Sequence, residues 1–274
     1  MPSDSRRQGG NSLIDLHCHM LPAIDDGAPD LSVSLEMARQ AVADGIKIAA
    51  CTPHILPGVY DNVGPAIKDA VERLSQVLEN EGIPLSLIVG ADAHMSPDMI
   101  AGLRSGRIPT LNESRYLLLE PPHHIAPPRL GEFTFQLMTA GYVPILTHPE
   151  RLSWIESHYK IIQGLARSGV WMQLTAGSLT GRFGRRARYW SERMLDEGLI
   201  EVMATDAHDT QSRPPGLAEA RDLVAKRWSD DRALDLVLVR PLDVIQNRGP
   251  SDTGDTPALA AGSSTRARAG GAAH

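Results

Sequence analysis

LIDLHCH, residues 13–19, carries an apolar run into polar side chains, and six more apolar runs follow along the chain. The others are IKIAACTPH (46–54), LSLIVGADAH (85–94), YLLLEPP (116–122), VPILTHPE (143–150), VWMQLTAG (170–177) and IEVMATDAH (200–208). Each is short, rich in strand-forming residues and almost continuously apolar, as expected of strands covered on both faces. Between them lie stretches such as DLSVSLEMARQAVADG (30–45) and AIKDAVERLSQVLENEG (66–82), with apolar residues three and four apart and a glycine just past the end. These read as helices, so the chain is built of βαβ units around a parallel sheet. Polar residues gather at the C-terminal end of nearly every run. A doubly wound sheet would scatter them across its width, whereas barrel loops converge on one mouth. The expected fold is α/β, a single-domain barrel of seven strands.

Outward from this body, residues 1–11 and 247–274 are Gly-, Ser- and Ala-bearing with little to bury, and both read as disordered tails flanking a domain at 12–246. Lys+Arg 27 against Asp+Glu 33 gives a net charge of -6, which argues against a nucleic-acid-binding or bilayer-binding surface. Aromatics at 4% leave few bases to be stacked, so a nuclease is disfavoured. No apolar run approaches the roughly 20 residues of a membrane span, so no direct insertion is expected. Two cysteines, Cys18 and Cys51, cannot make a disulfide scaffold and suit the cytoplasm.

Strand spacing turns Asp15, His17 and His19 to one side, with Leu16 and Cys18 packing the other way. Asp25-Asp26-Gly27 follows in the first loop. His54, Asp92 with His94, Glu120, His148 with Glu150, and Asp206 with His208 end later runs. Imidazoles and carboxylates at one rim form a mixed nitrogen and oxygen donor set suited to zinc, manganese or iron. The set exceeds one ion's needs, so two or three ions sharing carboxylates are expected. Such ions activate water for hydrolysis, and phosphate esters fit best because Arg151 and Arg213 follow ligand-bearing segments and can fork onto phosphate.

The series DLHCH, DDG, TPH, GAD, LLLE, HPER and TDAH followed by SRPP resembles the polymerase-and-histidinol-phosphatase (PHP) superfamily. Within it, RIPTLNESRYLLLE (107–120), HPER and RPPGLAEA (213–220) are most similar to bacterial manganese-dependent protein-tyrosine phosphatases of capsular and exopolysaccharide loci. The resemblance covers about residues 13–245 and implies a distorted (β/α)7 barrel with a trinuclear centre. It places His17, His19, Asp92 and Asp206 on one ion, Asp92, Glu120 and His148 on a second, and Asp26, His54 and His208 on a third. It makes Arg151 and Arg213 the phosphate-binding residues; Asp26, His54, His208 or their bound water is expected to protonate the leaving oxygen. The expected cofactor is two or three divalent ions, manganese first, with iron or zinc as alternatives. The expected partner is a phosphotyrosine protein, a membrane-associated bacterial tyrosine kinase with a Tyr-rich tail.

Two departures stand out. Asp92 occupies a bridging position that is usually Glu, one methylene longer, and a closing Asn-Pro appears as Arg240-Pro241. A thiolate phosphatase is excluded because Cys-x5-Arg fails at both cysteines, where Ile24 and Pro57 stand. A small-metabolite phosphatase such as a histidinol phosphatase, and a non-catalytic metal-binding regulatory partner, remain the competing readings. His94, His123 and His124 match no expected ligand position, the four tryptophans read as packing, and GRFGRRARYW (181–190) reads as a solvated basic helix face.

Overall fold

The computed structural model describes residues 12–249. Its strands are β1 (Leu13–Cys18), β2 (Ile46–Cys51), β3 (His54–Ile55), β4 (Ser86–Val89), β5 (Asp92–His94), β6 (Tyr116–Glu120), β7 (Val143–Thr147), β8 (Trp171–Thr175) and β9 (Val202–Ala204). All pair in parallel, in two ladders ordered β1-β2-β4 and β3-β5-β6-β7-β8-β9. The ladders are parts of one wall. β2 and β3 are a single run broken at Thr52-Pro53, and β4 and β5 a run broken at Gly90-Ala91. Pro53 has no N–H to give a ladder. At Gly90 a Cβ would lie 2.8 Å from Leu111 and 2.9 Å from Thr52. Bonds from Gly90 N to Cys51 O (3.1 Å) and from Asp92 N to Pro53 O (3.2 Å) carry the wall across both breaks. Seven staves result, in the order of the seven runs.

Closure is made at the rim. Asp206 N donates to His17 O (2.8 Å), His19 N to Ala207 O (2.8 Å), and Asp15 accepts from Thr205 N (2.9 Å). Below this stitching β1 and β9 have no continuous ladder, which is what distorts the barrel.

The helices are α1 (Leu31–Asp44), α2 (Gly64–Asn80), α3 (Met99–Arg104), α4 (Leu130–Thr139), α5 (Ile155–Arg167), α6 (Ala176–Thr180), α7 (Gly184–Asp196), α8 (Ala218–Arg227), α9 (Asp230–Leu234) and α10 (Arg240–Ile245). α1 shows why the sequence stops and starts where it does. Asp30 caps it by accepting from Val33 N (3.0 Å), and Gly45 ends it in the left-handed region at φ 98°.

Two apolar clusters divide the strands' faces. The outer one joins Leu117, Leu119, Leu146 and Met172 to helix residues such as Met37, Leu74, Leu137 and Trp190. The inner one holds Ile14, Leu16, Tyr116, Leu118, Ile145, Trp171 and Val202, and Val244 of α10 closes its floor. Truncating a residue of that layer, such as Leu118→Ala, costs about 2–5 kcal/mol. The inward parity of Tyr116 and Leu118 carries Glu120 to the mouth, as Ile145 does for Thr147 and Trp171 for Gln173. Apolar side chains thus fill the lower barrel and polar ones its top.

One part of the alternation in β1 differs from expectation. Leu16 lies in the inner cluster and Cys18 in the outer one, so they do not pack together. The register against β2 slips between Asp15 and Cys18, and this irregularity turns Asp15 to Thr205 while His17 and His19 face the mouth.

Asn247 and Arg248 pack on the body, where Arg115 N donates to Asn247 Oδ1 (2.9 Å) and the Tyr116 hydroxyl to Arg248 O (2.6 Å). The C-terminal tail was expected to begin at 247, but these bonds hold Asn247 and Arg248 to the body, so the ordered chain runs past that boundary; residues 1–11 and 250–274 lie outside the described residues. No helix among the described residues is long and apolar enough to cross a membrane.

Candidate metal centre

The first loop folds back over the end of β1. Ala28 N donates to His19 O (3.1 Å) and Ala23 N to Ala28 O (2.8 Å), and a Cβ on residue 27 would fall 2.1 Å from His19 O. Only glycine fits there, and this close approach sets Asp25 and Asp26 over the rim. At the ends of β7 and β9 the chain is bent harder. His148 (φ 34°) and Asp206 (φ 52°) are left-handed without being glycine, a strain of about 1–3 kcal/mol each that functional sites commonly hold.

These turns bring all nine residues expected as ligands to one mouth. His17 Nε2 and His19 Nε2 stand 3.1 Å apart, and Asp206 Oδ1 lies 3.4 and 3.5 Å from them. Asp92 Oδ2 is 3.5 Å from His17 Nε2 and 3.4 Å from His54 Nδ1. Asp26 Oδ1 is 3.4 Å from His54 Nε2 and 3.5 Å from His208 Nε2. Glu120 Oε1 faces His148 Nε2 at 3.7 Å. Four overlapping donor groups follow, with ligand atoms within 4.8 Å of one another: His19, Asp26, His54 and His208; His17, His19 and Asp92; His54, His94 and Glu120; and Asp92, Glu120 and His148.

The donors fit divalent ions on two further counts. His17 Nδ1 pairs with Gln173 Oε1 (2.8 Å), His19 Nδ1 with Asp25 Oδ2 (2.7 Å), and His208 Nδ1 with Asp206 O (3.0 Å). Each outer acceptor fixes the proton on Nδ1 and leaves Nε2 facing inward, the usual posture of a ligating imidazole. Asp92 is wholly buried, yet neither of its oxygens receives a hydrogen bond. A buried carboxylate left this way is costly unless cations face it, and the imidazoles of His17 and His54 can play that part only while protonated.

Burial and charge divide the imidazoles. Burial opposes protonation of His17, but Asp206 and Asp92 outweigh it and push its pKa up to about 9. For His54, burial is overcome by Glu120 and Asp92, again to about 9. Burial lowers His148 to about 4, with Asp206 opposing. It does the same for His208, where the neighbouring His19 adds to it. Asp206 is held well below the usual carboxylate range, because His17, His19 and Arg213 outweigh its burial. In metal-free protein at neutral pH, His17 and His54 therefore carry protons that an incoming ion displaces. Adding Mn2+ to metal-free protein at pH 7.5 is expected to release about two protons per chain. The release should fade, and apparent metal affinity level off, as pH rises through 9. A pH indicator in weakly buffered solution reads this directly, and no release at pH 7.5 would show those imidazoles to be neutral.

Arg151 Nη1 and Arg213 Nη2 both reach Asp206 Oδ2, the latter at 2.7 Å, so two forked cations border the same carboxylate. The family described as capsular polysaccharide synthesis, CpsB/CapC, matches residues 13–246. This chain belongs to the CpsB/CapC family. It is 35% identical to the tyrosine-protein phosphatase YwqE of Bacillus subtilis over 219 residues, covering 80% of this chain and 86% of that protein. It is 25% identical to the tyrosine-protein phosphatase CpsB of Streptococcus pneumoniae over 241 residues, 86% of this chain and 99% of that one. A crystal structure from work on YwqE and CpsB, described as unique metal-dependent tyrosine phosphatases, superposes with a TM-score of 0.84 at 33% identity, covering 86% of this chain and 96% of that one.

In this CpsB/CapC chain the mouth also uses residues to which sequence reasoning assigned no role. His94 Nε2 lies 2.5 Å from Glu120 Oε2 and joins a donor group with His54. Its two-residue spacing from Asp92 was the available signal. Gln173 orients His17, and the signal was an amide within an apolar run. Asp25 orients His19, whereas Asp26 faces His54 and His208; adjacent acids give no sequence signal for that division. Glu150 is buried under the rim, accepting from Thr175 N (3.1 Å) and the Ser178 hydroxyl (2.7 Å), and burial lifts its pKa to about 7 against the Ser178 bond. Cys18 and Cys51 are buried and their thiols pushed up, Cys51 to about 12, so neither supplies a thiolate.

Proposed function

We propose that this chain is a metal-dependent protein-tyrosine phosphatase acting in capsule or exopolysaccharide synthesis. One observation carries the reading: in a CpsB/CapC chain, nine metal-type donors and two arginines converge on one mouth, with both guanidiniums on Asp206. His17, His19, Asp92 and Asp206 would hold one ion, Asp92, Glu120 and His148 a second, and Asp26, His54 and His208 a third. His19 also faces the third group and helps to join the sites. Divalent ions held there, manganese in our reading, would supply Lewis-acid charge and lower the pKa of water.

The chain's own groups do the remaining work. Arg151 and Arg213 present N–H forks to an anionic oxygen and would orient the phosphoryl group. Asp25, Gln173 and the Asp206 carbonyl keep three imidazoles in one tautomer. The tyrosyl oxygen leaves as a phenolate and takes a proton from water, which we place on the Asp26, His54 and His208 side, where Asp26 is exposed. The substrate would be a phosphotyrosine protein, a membrane-associated tyrosine kinase of polysaccharide assembly, met in the cytoplasm.

The purified protein should hydrolyse a phosphotyrosine peptide faster than a phosphoserine peptide or histidinol phosphate, lose that activity to chelator and recover it with Mn2+. Elemental analysis should find more than one ion per chain. Preference for histidinol phosphate would make it a small-metabolite phosphatase, and absence of any metal-dependent hydrolysis would leave a binding role.

A further inference from the structure

Phe183 sits where no ligand or phosphate-binding role calls for a residue. The Arg151 guanidinium carbon lies 4.3 Å from the centre of its ring, and that of Arg213 lies 6.0 Å away. A guanidinium over an aromatic face is attracted to the ring while its in-plane N–H fork stays free. The same ring therefore serves both arginines, whose like charges otherwise meet across Asp206.

The turn carrying Phe183 is pinned to both arginine-bearing loops. Arg182 Nη1 donates to Gln211 O (3.4 Å) and Ser212 O (3.3 Å), next to Arg213. Arg186 Nη2 donates to Leu152 O (2.9 Å) and Ser153 O (3.1 Å), next to Arg151. Behind the ring, a Cβ at Gly177 would meet Phe183 at 3.0 Å, so glycine there gives the ring its seat. The basic stretch 181–190 thus binds the arginine loops with two of its own arginines, in addition to forming a helix face.

We propose that Phe183 is a positioning residue for phosphate recognition: its ring holds Arg151 and Arg213 side by side so that both forks meet one phosphoryl group. This rests on the reading that those arginines bind phosphate. The test uses full-length, Mn2+-loaded protein and compares Phe183→Ala, Phe183→Leu and Phe183→Tyr. Phe183→Tyr keeps the face and should stay within about twofold of the parent. Phe183→Leu keeps apolar volume without the ring's charge distribution. It should weaken inhibition by inorganic phosphate, and raise KM for an aryl phosphate, about tenfold, as should Phe183→Ala. Metal content and Tm of the leucine variant should match the parent.

A cycle with Arg151→Ala/Arg213→Ala separates this from simple packing. In that background Phe183→Leu should add less than about twofold, because nothing remains for the ring to hold. Full additivity, or unchanged phosphate inhibition in Phe183→Leu, overturns the proposal. If the double arginine variant binds phosphate as the parent does, the arginine reading itself fails. If that variant is impaired and Phe183→Leu is not, only the role of Phe183 fails.

Discussion

Asp92→Ala is expected to lower kcat/KM by at least about a thousandfold, roughly 4 kcal/mol of transition-state stabilisation, and to reduce bound metal. Asp92 belongs to two of the donor groups, one with His17 and His19 and one with Glu120 and His148, so its loss opens both at once. Its neighbours cannot replace it, because His17 and His54 approach it as nitrogen donors and carry no negative charge. Asp92→Asn should fail almost as fully, since it keeps the shape and removes the charge. Asp92→Glu restores the longer reach usual at a bridging position and should hold metal at least as well when metal is limiting. Elemental analysis beside activity decides the matter. An Asp92→Ala protein that is active and fully loaded would show that this carboxylate bridges nothing.

The seven staves and their polar ends were legible because both depend on local periodicity. A parallel strand covered on both faces announces itself by continuous apolarity, and its mouth by the first polar residues after it. The breaks at Thr52-Pro53 and Gly90-Ala91 were not, since each falls where an apolar run meets its polar end and so reads as the end of a strand, not as an interruption within it. They arise where the wall bends, which only the neighbouring strands impose. The slip in β1 is of the same kind. Strict alternation predicted one face for Asp15, His17 and His19, and the demand for rim bonds between β1 and the segment after β9 overrode it.

Within the mouth, sequence reasoning reached the residues that end strands and missed those that act across strands. His94 shares a face with Asp92 by spacing alone, but its contact is Glu120, and the pairing of His94 with Glu120 exists only in the register of β5 on β6. Gln173 meets His17 across 156 positions of sequence. Phe183 was hidden by its company, because a ring set among arginines reads as an amphipathic surface until the loops bearing Arg151 and Arg213 are folded against it.

Arg151→Ala and Arg213→Ala should each lower kcat/KM by about ten- to a thousandfold, roughly 1.4–4 kcal/mol, while leaving fold and metal content intact. Both guanidiniums share Asp206 Oδ2, so either one alone still neutralises that oxygen, and the single variants retain a folded mouth. Removing positive charge beside the ligands also gives no reason for cations to be lost; ion binding should hold or tighten. Lysine is a poor substitute at either position because a point charge cannot make two parallel bonds to a phosphoryl group. The double variant should lose more than either single one, and inorganic phosphate should cease to inhibit it. Kinetics, Tm and metal analysis on the three proteins separate the roles. An arginine whose loss releases the ions or lowers Tm together with activity is holding Asp206 for the fold, and its assignment to phosphate would then be withdrawn.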